Sequence, residues 1–311
     1  MVVQNHWKGW VSAPGSLMLL GEHAVLHGRP ALVCAINQRI RVHLLACPER
    51  EIKIDSALGR YQSSLDQPEE SHAFRFVLAA ISSYKEALSS GVQLTIESSF
   101  SDQIGFGSSA AVTAAVVAAL DYLTEKRIPS PEAVFSRGLE IIRKVQGRGS
   151  GADLSASVWG GVVFYRQEQP PSSLPLSFPL TAVYCGYKTP TPEVVKRVEQ
   201  QRKEAPERFE TIFDGMEKEV LEAWKALEAG ELQKVGAVLN RGETWMKALG
   251  VTTPELDEIV QALQADPQIF GAKISGSGLG DCAVGWGRSS LRELAYPCYE
   301  LEIDAGGLCY E

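Results

Sequence analysis

Between Ile104 and Leu120 the chain reads IGFGSSAAVTAAVVAAL: two glycines one residue apart, two adjacent serines, then a helix-length run of small apolar residues. Gly105 and Gly107 let a tight turn approach a ligand with no Cβ in the way, and the helix that follows offers unpaired N–H groups at its positive end. Such a site suits an anion, most commonly phosphate. Ser108 and Ser109 add hydroxyls just before Ala110, either as helix caps or as ligands to a phosphate-bound metal. A second glycine-rich turn, KISGSGLGDC from Lys273 to Cys282, offers the same chemistry. There Ser275, Gly276, Ser277 and Gly278 form a concavity of N–H groups between two strands. Lys273, at its edge, reads as a strand-end surface charge. A third segment, SAPGSLMLLGEHAVLHG from Ser12, sets a strand between two glycine turns and follows it with Glu22, His23 and His27.

Two familiar phosphate sites fit poorly. GFGSSA matches a loose G-x-G-x-x-A dinucleotide fingerprint, but it lies far inside the chain and lacks a clear βαβ unit with its ribose-binding acid. No G-K-[ST] follows, so the loop is not a Walker A motif either.

The elements that must carry these loops are legible in outline. GWVSAP, SLMLLG and PALVCAINQRIRVHLLAC read as short strands, and VQLTIESSF alternates as a half-buried strand leading into the first loop. Ser71 to Leu88 has near-helical apolar spacing. Ala110 to Leu120, apolar on every side, predicts a helix buried inside a domain, with another from Pro131 to Val145. The Pro/Ser-rich stretch over residues 167–178 is the best linker, which divides the chain into domains 1–170 and 171–311. The second half reads as a strand (LTAVYCGY), charged amphipathic helices, a capping box at Thr252 and Glu255, then strand, glycine turn and strand.

With 311 residues, 45% of them hydrophobic, the chain has room for two medium domains with real cores. A formal net charge of −8 leaves no basic face for nucleic acid, so phosphate recognition must be local. The six scattered cysteines, with no C-x-x-C, read as reduced and mostly buried thiols. The N-terminal residues lack the pattern of a signal peptide, and no apolar run is long enough to span a membrane, so the expected compartment is the cytoplasm.

Taken in order, these three segments resemble the signature motifs of the GHMP kinases, and the likeness covers almost the whole chain. GEHAVLHG resembles the first motif of the mevalonate kinases within that family, and GRGSGADLSASVWGG resembles their S-G-x-D stretch ahead of W-G-G. The resemblance implies an α+β fold of two domains, a mixed-sheet N-terminal domain and a ferredoxin-like helical/β C-terminal domain, with the active site in the cleft between them. It implies ATP held by Gly105, Gly107, Ser108, Ser109 and Ala110, closed over by Ser275 to Gly278, with Ser109 beside Mg²⁺. Asp153 becomes the base that takes the proton of the acceptor hydroxyl. Glu22, His23 and Ser16 fall at positions near the acceptor, mevalonate, while His27 has a structural role; a homodimer is also implied. Phosphomevalonate kinase, or a weakly catalytic nucleotide-binding relative, is the alternative. Two departures stand out. Ser16 occupies the place of the family's A-P-G-K lysine, and Ile142 that of a magnesium-binding glutamate, the nearest acid being Glu140.

Overall fold

Strand β2 (Ala31–Cys47) is the spine of the first sheet: β1 (Trp10–Leu20) pairs along its whole length on one side. Its other side is shared between β5 (Gly91–Ser98) and β6 (Val162–Tyr165). The computed structural model describes residues 9–289 and 295–311. The sheet is completed by β3 (Glu51–Ser56), β4 (Gly59–Ser64), β7 (Ser172–Leu174) and β12 (Cys309–Tyr310), in the order β12-β1-β2-β5-β3-β4 with β6 and β7 branching from β2. It is mixed, because β3 runs parallel to β5 while the other pairs are antiparallel.

GWVSAP and SLMLLG prove to be one strand. β1 passes through the Pro-Gly pair with a register shift between Pro14 and Gly15, which absorbs the proline's missing donor without breaking the strand. α1 (Arg75–Ser83) is shorter than its spacing suggests, because Tyr84 turns inward and donates its hydroxyl to the buried Asp121 carboxylate at 2.7 Å. α2 (Ser108–Glu125) buries Ala110, Ala111 and every residue from Thr113 to Asp121, as an all-round apolar helix must. α3 (Pro131–Gln146) starts at Ser130, whose side chain accepts from the Ala133 N–H. α4 (Ala152–Trp159) is a short helix behind a left-handed Gly151.

The second sheet has the order β11-β8-β10-β9, formed by β8 (Pro179–Tyr184), β9 (Ile269–Ser275), β10 (Cys282–Gly287) and β11 (Cys298–Glu302). α5 (Thr191–Glu204), α6 (Pro206–Glu228), α7 (Leu232–Leu249) and α8 (Pro254–Ala265) complete this half. The helix cap sits one residue later than the Thr252–Glu255 motif predicts, and no capping box closes, because Leu256 stands at the third helical position. Pro254, with φ preset for the first helical turn, makes Thr253 the cap, and its hydroxyl accepts from the Leu256 N–H while Glu255 takes the Tyr187 hydroxyl. All six cysteines are free, with Cys298 and Cys309 exposed and the rest buried. Among the described residues no helix is long and apolar enough to cross a membrane.

The two halves do not merely touch. Leu17, Leu19, Leu32, Ile36 and Phe106 from the first share one apolar cluster with Leu180, Val220, Val238 and Trp286 from the second. The glycine loop before α2, the start of α4 and the turn between β9 and β10 come together around one cavity.

Candidate active site

Two adjoining cavities, of about 190 and 180 Å³, open where these segments converge. They share one wall made of Met18, Gln146, Gly149, Ser150, Asp153, Thr191, Gly276 and Ser277. The second cavity adds Gly105, Gly107, Ser108, Ser109, Ala110, Ser275, Lys188 and Asp281. The first adds Glu22, His23 and Arg148, with an apolar side of Val25, Leu26, Pro192 and Val195.

The first glycine turn is arranged for an anion. Gly107, left-handed at φ 66°, is the N-cap of α2, and neither serine caps the helix through its side chain. The hydroxyls of Ser108 and Ser109 are therefore left to a ligand at the positive end of an 18-residue helix. A Cβ on Gly107 would overlap the Ser16 hydroxyl oxygen, so the loop lies directly on β1. The Phe106 carbonyl fixes it there by accepting from the Ser16 N–H at 3.0 Å.

Asp153 stands in the first turn of α4, on the wall common to both cavities. It does not cap the helix; its Oδ1 accepts from Ser16 Oγ at 2.8 Å. Ser16 itself is fully buried behind the aspartate and lines neither cavity. Burial pushes the Asp153 carboxyl above the ordinary aspartate range, against the Ser16 hydrogen bond and the Lys188 charge, which favour the ionised form. A base must be ionised to act, so the rate should fall on the acid side along a limb displaced upward from an ordinary carboxylate. Ser16→Ala removes a contact that favours the anion and should move that limb higher still; a kcat/KM profile identical in the two proteins would refute the assignment.

Glu22 lines the first cavity, and its carboxylate forms a buried ion pair with Lys273. Lys273 is thus no surface charge. It is fully buried, and besides pairing with Glu22 it donates to the Ile274 carbonyl. His23, at φ 60°, donates from Nε2 to the Ser277 carbonyl at 2.9 Å, linking the first motif to the second glycine turn. Burial lowers its pKa, against the Ser277 hydrogen bond and the Glu22 charge, and so favours the neutral ring. His27 pairs with Glu199 at 2.7 Å and stacks on Phe213, a structural role.

Within the second turn, Ser275 donates to the Met18 carbonyl at 2.9 Å. Gly276 and Ser277 line both cavities, while Gly278 lines neither and packs where a Cβ would strike Val251. Ile142 presents an apolar side chain to the phosphate-side cavity, and Glu140 lines a separate groove with Tyr84 and Arg137. Among the described residues no cluster of three His, Cys, Asp or Glu could hold a metal by itself. Three further residues line the site: Arg148 and Asp281 fall within GRGSGADLSASVWGG and KISGSGLGDC without being singled out there, and Lys188 lies outside every motif.

Comparison with known proteins bears on the family and the fold. Family models of the GHMP kinases match as the N-terminal domain over residues 75–161 and the C-terminal domain over 223–296; a galactokinase galactose-binding signature matches residues 3–44. The mevalonate kinase of Archaeoglobus fulgidus is 33% identical over 88% of this chain and 90% of its own length. That of Pyrococcus abyssi is 30% identical over 91% and 90%. In fold, the crystal structure of L. major mevalonate kinase in complex with R-mevalonate aligns with a TM-score of 0.77 at 24% identity, covering 94% of each chain.

Proposed function

This chain belongs to the GHMP kinases, within them to the mevalonate kinases, and from that premise we propose how its residues phosphorylate the primary hydroxyl of mevalonate with ATP. The observation that carries the reading is the position of Asp153: one carboxylate on the wall between an anion-binding cavity and a mixed apolar and polar one. ATP phosphates occupy the second cavity, held by the N–H groups of Gly105 to Ala110 and Ser275 to Ser277. Mevalonate occupies the first, its methyl group against Val25, Leu26 and Val195.

Asp153 Oδ takes the hydroxyl proton as the mevalonate oxygen attacks the γ-phosphorus, a new P–O bond forms, and the bond to the β–γ bridging oxygen breaks to leave ADP. Ser16 keeps the carboxylate aimed while this happens. Phosphoryl transfer asks little else of the protein beyond positioning and charge neutralisation. Mg²⁺ arriving with ATP would offset phosphate charge, and the uncapped Ser109 hydroxyl fits it as one oxygen ligand, in keeping with an ion that needs few protein donors.

In the acceptor cavity Arg148 is the one strongly basic side chain among the described lining residues, and a guanidinium suits the mevalonate carboxylate. ADP release with mevalonate, set beside phosphomevalonate and galactose, tests the reading; preferred turnover of galactose would overturn it in favour of the sugar signature. Arg148→Gln should raise KM for mevalonate by about tenfold with kcat nearly unchanged, the behaviour of a contact made equally in ground and transition states. An unchanged KM would remove Arg148 from the site.

A further inference from the structure

ATP brings several negative charges into a cavity whose wall already holds two carboxylates, Asp153 and Asp281. Transfer of its terminal phosphoryl group is favoured by a positive group placed against the negatively charged equatorial oxygens. Position 16, against the base, is a neutral serine. Among the described residues lining this cavity, one is cationic: Lys188.

Lys188 is anchored by an ion pair and by its neighbours in the chain. Its Nζ lies 3.1 Å from Asp281 Oδ2. The residues on either side of it are tied to the second glycine turn: the Tyr187 carbonyl accepts from the Asp281 N–H at 2.8 Å, and the Thr189 hydroxyl donates to the Leu279 carbonyl. Asp281 adopts φ 75°, a left-handed conformation uncommon for a residue with a side chain. It fits only because Gly105 is a glycine, since a Cβ there would overlap both carboxylate oxygens. The glycine loop that cradles phosphate therefore also admits the acid that anchors the lysine. An ammonium carries three donors, and Asp281 takes one, so two are left for phosphate oxygens.

We propose that Lys188 is a catalytic residue that contacts the γ-phosphoryl oxygens of ATP, and that Asp281, admitted by Gly105, is its positioning residue. The assignment rests on the kinase reading above, and its test separates the two. Binding of the non-hydrolysable analogue AMPPNP and of ADP, each with Mg²⁺ and no acceptor, is measured by calorimetry for the full chain and for Lys188→Met, Lys188→Gln, Lys188→Arg and Asp281→Asn. Melting temperatures show which variants are folded. Mevalonate turnover is measured alongside.

Lys188→Met and Lys188→Gln should weaken AMPPNP about tenfold while changing ADP less than about threefold. Both should lower kcat by roughly 10²-fold with KM for mevalonate little changed. Lys188→Arg should recover most of both losses. Asp281→Asn should lose part of the preference for AMPPNP over ADP, and should add little in the Lys188→Met background. Retention of that preference and of kcat within about threefold in both neutral lysine variants would overturn the proposal. So would an Asp281→Asn variant that needs more Mg²⁺ yet keeps the preference, because the carboxylate would then serve the metal. Absence of turnover with mevalonate in the unaltered protein would count against the acceptor reading alone, and the AMPPNP to ADP ratio would still decide the role of Lys188.

Discussion

Asp153→Asn is expected to lower kcat for mevalonate by roughly 10²–10⁴-fold while leaving ATP affinity and the fold intact. Asparagine keeps the size of the side chain and an oxygen that can accept from Ser16 Oγ, now 2.8 Å from Asp153 Oδ1, so the loss isolates proton transfer from positioning. The same substitution carries a stability prediction of opposite sign. Burial raises the Asp153 pKa in the folded protein, so the native state binds its proton more tightly than the unfolded chain does. The ionised form therefore costs stability. That cost sets in as pH climbs past the ordinary aspartate value and is complete above the raised one. A neutral side chain escapes it, so at neutral pH the variant should melt no lower than the original, and its advantage should vanish in acid. A variant that keeps more than about a tenth of the rate would show that another group is the base. Loss of activity accompanied by a large fall in melting temperature would instead make Asp153 a structural residue.

The second large effect concerns Lys273. Lys273→Met leaves the Glu22 carboxylate buried without its counter-ion, and Glu22 Oε2 has no hydrogen-bond partner to compensate. Glu243 worsens the case: burial already raises its pKa, the lysine's charge works against that rise, and its Oε1 is likewise unpartnered. Removing one member of a buried pair costs about 3–5 kcal/mol, measurable as a shifted urea midpoint. The double variant Lys273→Met with Glu22→Gln should recover a good part of the loss, since no charge is then stranded. A single-variant effect below about 1 kcal/mol would mean that water reaches the pair and that the two halves are not coupled through it.

Lys273 also shows where a sequence stops being informative. A lysine at a strand end is a surface charge by default, because lysines are almost never buried unpaired. Its partner lies 251 residues away, and only the tertiary fold brings Glu22 to it. Lys188 is unmarked in the sequence for the same reason: GYKTPTP has no local constraint that distinguishes its lysine, whereas the contact with Asp281 depends on a missing Cβ in a third segment.

The glycine loops were legible because their chemistry is backbone chemistry, written in contiguous residues that must turn tightly. Asp153 was legible only through resemblance to a motif; its own surroundings, Ser16 and the shared cavity wall, come from distant strands. The all-round apolar run after Ser109 announced a buried helix without help. The cap of α8 came out one residue off because the fixed φ of Pro254 outweighs the spacing rule.

The apolar cluster that spans both halves has a consequence for how the protein is made. Leu17, Leu19, Leu32 and Ile36 are covered by Val220, Val238 and Trp286, which follow on the order of 200 residues later. At about 5–20 residues per second, this surface waits roughly ten to forty seconds on the ribosome before its cover exists. The nascent first half thus exposes an apolar face over that interval, and slowing translation ahead of α6 should cost soluble yield.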